Sequence, residues 1–229
     1  MDKKSSKNNI KAIIFDMDGV IINSEPIYEE VNKKIYPEYG INLTQAERDS
    51  LRGTSLFDSW QKLLNKFEVK AEYSHYKIED FIEQHIHSYY VGLANSEDLK
   101  LMPGVKAWFE FFKEHGYKMI IASSSYPPVV EYIYQRFELA EYFIGYVDST
   151  TIINGKPAPD IYLRAAKRLN FKPGECLVIE DSENGVKGAK AAGCKVIAYN
   201  RAADPSQDLA AADLEIAEFS RDNLHKILF

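Results

Sequence analysis

The sequence predicts an α/β protein: a mostly parallel sheet with helices on both faces, and a helical insertion after the first strand. Three observations carry this reading. Short apolar runs recur along the chain, helical patterns separate the later runs, and the stretch from Glu25 to about Lys100 contains no run of strand type. The first strand is expected over Lys11–Phe15 and leads directly into Asp16 and Asp18. In the insertion, Phe57, Trp60, Leu63, Leu64 and Phe67, then Ile78, Phe81, Ile82, His85 and Ile86, recur at helical spacing. The region is too long for a simple crossover and reads as a small second domain. Further strands follow at Tyr117–Ala122, Tyr142–Val147, Cys176–Ile179 and Lys195–Tyr199. Helices are expected at Val105–His115, Val129–Phe137, Asp160–Leu169 and Ser182–Ala192, with Gly116 and Gly193 where helix C-caps belong.

Composition narrows the function. The 229 residues are 45% hydrophobic and 27% charged, enough for one or two domains with a real core. A net charge of −6 argues against nucleic acid as a partner. No apolar run is long enough to cross a membrane, and the polar opening MDKKSSKNN lacks the apolar core of a signal peptide, so residues 1–9 read as a flexible tail. The 2 cysteines, Cys176 and Cys194, each open a strand and are expected as buried, reduced thiols of a cytoplasmic protein. His85 and His87 are two apart and read as surface residues, not ligands.

In a parallel sheet, ligands bind beyond the carboxyl ends of the strands. Those ends carry Asp16 and Asp18, then Ser123, Ser124 and Ser125, then the segment GKPAPD with Lys156, then Glu180 and Asp181. Singly, each has a plain explanation as a turn residue, a solvated lysine or acids at a helix start. Together they form one chemical set. Four carboxylates at one face repel one another, and Mg²⁺, which takes oxygen ligands, relieves that repulsion. Lys156 adds a positive charge for a bound phosphate, and serine hydroxyls donate to phosphate oxygens. The chain contains no GxxxxGK[ST] loop, which leaves a P-loop nucleotide site unsupported. A carboxylate is ionised at neutral pH and attacks phosphorus without a base. A second carboxyl two residues on gives the leaving alkoxide its proton and later takes one from water.

FDMDGV, IASSS, GKPAPD and VIEDSENG resemble the four signature motifs of the haloacid dehalogenase superfamily, in order and over nearly the whole chain. The subgroup resembled is that of beta-phosphoglucomutase and its related sugar-phosphate phosphatases. The resemblance implies a Rossmann-like catalytic core over residues 10–23 and 101–229, with a helical cap over 24–100. It implies Asp16 as nucleophile, Asp18 as general acid/base, Ser123 as the phosphate-binding hydroxyl with Ser124 beside it, and Lys156 as the phosphoryl-stabilising cation. It also implies Mg²⁺ held by Asp16, Glu180, Asp181 and the Asp18 carbonyl. Dehalogenases of the family generally lack the second aspartate, whereas Asp18 is present, so phosphate chemistry is favoured.

The resemblance leaves hydrolase and mutase to be separated. Beta-phosphoglucomutase has a histidine ten residues past the acid/base, where this chain has Tyr28. Its cap carries a Lys-Gly segment followed by an arginine, where this chain reads Arg52, Gly53 and, at the arginine position, Leu56. A phosphatase acting on a small phosphorylated metabolite is therefore expected, with the mutase as alternative. Tyr28, Arg52, Gly53, Ser124 and Ser125 are the candidate substrate contacts, and Arg52 is expected to meet a polar or anionic group on the leaving alcohol. A receiver-like or phosphate-binding protein without turnover is the reading from another class, and the helical insertion and the early DxD pair argue against it. A monomer is expected, with the cap swinging on joints near Asn23–Pro26 and Lys100–Pro103.

Overall fold

This computed structural model describes residues 9–51, 54–201 and 207–228. Six strands, β1 (Ala12–Phe15), β2 (Lys118–Ala122), β3 (Phe143–Val147), β4 (Cys176–Glu180), β5 (Lys195–Tyr199) and β6 (Leu214–Ile216), pair in parallel in the order β3-β2-β1-β4-β5-β6. β1 is apolar throughout, and β2 and β4 are apolar but for Lys118 and Glu180 at their ends, because both faces of the sheet are covered. Successive residues point to opposite faces. Ile13 and Phe15 accordingly join one core with Met119, Ile121, Leu177 and Ile179, while Ala12 and Ile14 join another with Ile120, Cys176 and Val178.

The first core is closed by α5 (Val105–Glu114) and α6 (Pro127–Arg136), and the second by α7 (Asp160–Leu169) and α8 (Glu183–Ala191). Phe15 meets Phe109, Phe112 and Phe143 edge to face, with ring centroids 5.1, 6.1 and 5.5 Å away. Gly116 and Gly193 take φ of +76° and +85° just after α5 and α8, the left-handed turn expected of helix C-caps. The final pieces, β6 and α9 (Arg221–Leu228), are additions to the expected element list.

Between β1 and α5 the described residues form four α-helices: α1 (Glu25–Glu38), α2 (Gln45–Asp49), α3 (Leu56–Lys66) and α4 (Ile78–Asn95). Their starts are written locally. Thr44 makes a capping box with Glu47, and the Ser55 hydroxyl accepts from the Asp58 N–H at 3.0 Å. These helices bury a separate core built from Ile35, Tyr36, Tyr39, Trp60, Leu63, Phe81 and Ile82.

His85 corrects the sequence reading. It is fully buried in that core, where the Trp60 indole Nε1 donates to its Nδ1 at 3.0 Å. Two-residue spacing separates His85 from His87 on the helix, but it does not expose both of them. Cys176 and Cys194 are buried free thiols, as expected. No helix among the described residues is long and apolar enough to cross a membrane. The expected tail, apart from exposed Asn9, lies outside the described residues, as do Arg52 and Gly53.

Candidate active site

From β1 the sheet grows one way through β2 and β3, and from β4 the other way through β5 and β6. Chain segments leaving the carboxyl ends of β1 and β4 therefore diverge and open a crevice. Asp16 sits at that point, its N–H donating to the Ile179 carbonyl at 3.0 Å and its side chain nearly buried.

Lys156 enters from the loop before α7. Its Nζ lies 2.5 Å from Asp16 Oδ1 and 2.5 Å from Glu180 Oε1. The Tyr162 hydroxyl also donates to Glu180 Oε1, at 2.9 Å. The other Glu180 oxygen accepts from the N–H groups of Asp181 and Ser182, both at 2.8 Å, and from the Ser182 hydroxyl at 3.0 Å. Two glycines make this packing possible. A Cβ on Gly185 would lie 1.8 Å from Glu180 Oε1, and one on Gly19 would lie 1.9 Å from Asp181 Oδ2. Gly19 also needs the left-handed φ of +84°.

The electrostatics follow from burial. Burial raises the Asp16 pKa well above its ordinary value; the Lys156 charge opposes this, and Glu180 and Asp18 add to it. Asp181 is raised in the same way, by burial and then by the charges of Glu180 and Asp16. Burial would also raise Glu180, but Lys156 and the hydrogen bonds to its carboxylate hold it below the usual range. Lys156 loses solvation, yet its two carboxylate partners keep it charged well beyond its ordinary pKa. Carboxylate oxygens of Asp16, Glu180 and Asp181 all lie within 4.8 Å of one another. This set is purely oxygen, and its acids outnumber the one lysine paired with them, so the residues fit a hard divalent cation such as Mg²⁺.

Asp18 belongs to a hydroxyl cluster. Its Oδ1 accepts from Ser24 at 2.6 Å and Tyr28 at 2.9 Å, and its Oδ2 accepts from Ser125 at 2.8 Å with Ser123 Oγ 3.5 Å away. Burial and the nearby Asp18 charge push the Tyr28 pKa well up, so its phenol stays a donor. Ser123 is fully buried at the end of β2, where its backbone N–H bonds the Val147 carbonyl at 2.9 Å and its Oγ accepts from the Ser125 N–H at 3.0 Å. Ser124 is exposed on the cavity wall.

A cavity of about 920 Å³ joins this cluster to the helical insertion, which contributes Tyr28, Asn32 and Tyr36 from α1, Arg48 from α2 and Leu56 from α3. Asp16, Asp18, Ser123, Ser124, Ser125, Lys156, Glu180, Asp181 and Tyr28 are thus brought to one place. Sequence reasoning missed Ser24 and Tyr162. Ser24 stands where an N-cap belongs, but its hydroxyl makes no cap bond and reaches Asp18 instead. Tyr162 is completely buried on α7 and reads as core; only the nearby GKPAPD segment hints at its place.

Fold and site together define an enzyme for an anionic, phosphate-bearing substrate. Residues 10–193 match the haloacid dehalogenase-like hydrolases. A phosphorylated carbohydrates phosphatase of Thermotoga maritima is 33% identical over 188 residues, 82% of this chain and 84% of that protein. A beta-phosphoglucomutase of Bacillus subtilis is 28% identical over 211 residues, 92% of this chain and 91% of its own. Among solved structures, CbbY of Rhodobacter sphaeroides in complex with phosphate shares the fold at a TM-score of 0.83 and 23% identity, covering 93% of this chain and 96% of its own. The chain belongs to the haloacid dehalogenase-like hydrolase family, in the group of beta-phosphoglucomutase and the sugar-phosphate phosphatases, and is a phosphoric monoester hydrolase.

Proposed function

We propose that this enzyme is a Mg²⁺-dependent phosphatase that hydrolyses a small sugar-phosphate-like monoester through an aspartyl-phosphate. The observation that carries the reading is Lys156, held 2.5 Å from Asp16 in a crevice that Asp18 and Asp181 also line. Asp16 attacks phosphorus. A bond forms from its carboxylate oxygen while the bond from phosphorus to the alcohol oxygen breaks, and Asp18 gives that oxygen its proton. Water then attacks the phosphorus of the aspartyl-phosphate, Asp18 takes the water proton, and the Asp16–phosphorus bond breaks to release inorganic phosphate. Ser123 donates to a phosphoryl oxygen, and Lys156 balances phosphoryl charge. When bound by Asp16, Glu180, Asp181 and the Asp18 carbonyl, Mg²⁺ neutralises further charge on the phosphoryl group.

Residues 24–100 act as a cap domain on a core of residues 10–23 and 101–229. The separate apolar core of α1 to α4 supports this division. Buried free cysteines favour a reducing compartment, so we place the enzyme in the cytoplasm, working as a monomer.

The B. subtilis relative keeps a mutase reading in view. Tyr28 in place of a histidine and Leu56 on the cavity wall favour hydrolysis, because a mutase must grip a second phosphate. The deciding experiment measures Mg²⁺-dependent phosphate release from small phosphomonoesters, alongside conversion of glucose 1-phosphate. Hydrolysis lost by roughly a thousandfold or more in Asp16→Asn supports the proposal. Asp16-dependent isomerisation without phosphate release overturns it in favour of the mutase.

A further inference from the structure

The helical insertion contains a buried polar chain that the proposed chemistry does not use. The Trp60 Nε1–H donates to His85 Nδ1 at 3.0 Å, and His85 Nε2 lies 2.8 Å from Asn32 Oδ1. Indole nitrogen is only a donor, so Nδ1 carries the lone pair and the proton of the neutral ring sits on Nε2. Burial supports this by lowering the His85 pKa to about 3. His85 Nε2–H therefore donates, and the Asn32 atom it meets must be the carbonyl oxygen. The Tyr89 hydroxyl donates to the same oxygen at 2.8 Å. With two donors fixing its oxygen from within the insertion, the Asn32 amide has only its NH₂ left to offer, and Asn32 lines the cavity shared with Asp16 and Lys156.

A second donor stands on the same wall. Arg48 lines the cavity, and its Nη1 is buried without a hydrogen-bond partner among the described residues. Tyr36 lies one helical turn beyond Asn32 on α1, on the same face, and feels the Arg48 charge. A buried donor without a partner is costly, and a wall that sets the Arg48 donor beside the Asn32 NH₂ is matched by a ligand with acceptor oxygens.

We propose that Asn32 and Arg48 form the specificity wall for the leaving alcohol, selecting one that carries acceptor oxygens, and that His85 is the positioning residue that fixes the direction of the Asn32 amide. This rests on the proposed function for the reaction it serves, but it can be tested without turnover. The protein used is Asp16→Asn, which lacks the nucleophile. Calorimetry gives its Kd for glucose 6-phosphate, whose alcohol bears hydroxyls, for 3-phosphoglycerate, whose alcohol bears a carboxylate, and for phenyl phosphate, whose alcohol bears no acceptor.

The quantity read is the preference for each acceptor-bearing ester over phenyl phosphate. Adding Asn32→Asp, which keeps size and turns the outward donor into an acceptor, is expected to lower that preference by about tenfold, the worth of one or two lost hydrogen bonds. Adding Arg48→Met is expected to do the same, and whichever ester loses more names the acceptor that each residue reads. His85→Phe is expected to reproduce the Asn32 effect by freeing the amide to turn. If no variant changes either preference by as much as fivefold, or if all three esters weaken equally, the proposal is wrong. A wild-type protein that releases no phosphate from these esters would refute the proposed function, while the binding ratios would still decide the role of Asn32 and Arg48.

Discussion

In the proposed reaction Asp18 handles both proton transfers, and its side-chain partners are hydroxyls. Ser24 and Tyr28 come from the start of the insertion, whereas Ser125 comes from the loop after β2. A hydroxyl both donates and accepts, so a serine can serve either protonation state of the carboxyl. Tyr28 differs because burial keeps its proton on oxygen, and it favours the ionised carboxylate. Tyr28→Phe removes one hydrogen bond to a charged acceptor, and kcat/KM is expected to fall by roughly tenfold. An unchanged pH–rate profile together with an unchanged kcat/KM would separate Tyr28 from the acid/base step. Gly19 gives a sharper case. Gly19→Ala would place a methyl group against the Asp181 carboxylate and would strain a positive φ, at a cost of about 1–2 kcal/mol for the backbone alone. The expected outcome is a raised Mg²⁺ requirement, read as the metal concentration giving half-maximal phosphate release, with the parent value restored at no practical concentration. A Gly19→Ala enzyme with the parent metal dependence would show that Asp181 does not hold the ion.

At the scale of elements, legibility followed burial. β1, β2, β4 and β5 stood out because nearly every residue in them is apolar, as a strand covered on both faces requires. β6 was invisible because Ile216 is the one buried residue among its three. The candidate site was legible for a different reason: its groups sit at strand ends, where topology brings separated motifs together. Ser24, Asn32 and Tyr162 were not legible, since their roles depend on tertiary partners that no local pattern names. His85 shows the same limit. It lies on the apolar stripe of α4 with Phe81 and Ile82, but the acceptor role that keeps it inside is set by Trp60, on another helix.

That burial has a consequence for pH. The folded-state pKa of His85 is about 3, below the ordinary 6.5, so between these values the unfolded chain binds a proton that the folded insertion does not. Stability is therefore fully present above about pH 6.5 and falls as pH drops toward 3, by up to about 1.4 kcal/mol per pH unit from this group. Urea midpoints measured from pH 7.5 to 5 should decline in the parent protein. They should decline less steeply in His85→Gln, from a lower starting stability. Parallel slopes for the two proteins would contradict the assignment.

At the scale of the whole molecule, the insertion is tied to the sheet by two adjacent chain crossings. The Asn23 N–H donates to the Lys100 carbonyl at 3.3 Å, the Met102 N–H donates to the Ile21 carbonyl at 2.8 Å, and Ile22 and Leu101 pair in antiparallel fashion. Beyond this double strap, α4 leans on α6 through Tyr90 against Tyr132 and through Arg136, whose Nη2 donates to the Ser96 carbonyl at 3.1 Å. The insertion has a core of its own, but it also sends Leu93 and Leu99 into the core beside the sheet, with Ile27, Tyr28 and Tyr89 packed against it, so rotation about the strap would have to slide these apolar contacts. The cavity reaches the strap at Asn23 and Met102 and is lined by Asp16 from the sheet and by Asn32 and Arg48 from the insertion. Closure there would bring the wall to the leaving alcohol and exclude water during the first transfer, whereas opening would release the alcohol and admit water for the second. The expected outcome is a smaller radius of gyration by X-ray scattering when Mg²⁺ and a beryllium fluoride phosphate mimic are added together. That contraction should be lost in Asp16→Asn, which cannot carry the mimic. Identical scattering with and without the mimic would mean that the insertion is a fixed wall, and that substrate enters and product leaves through the open mouth of the crevice.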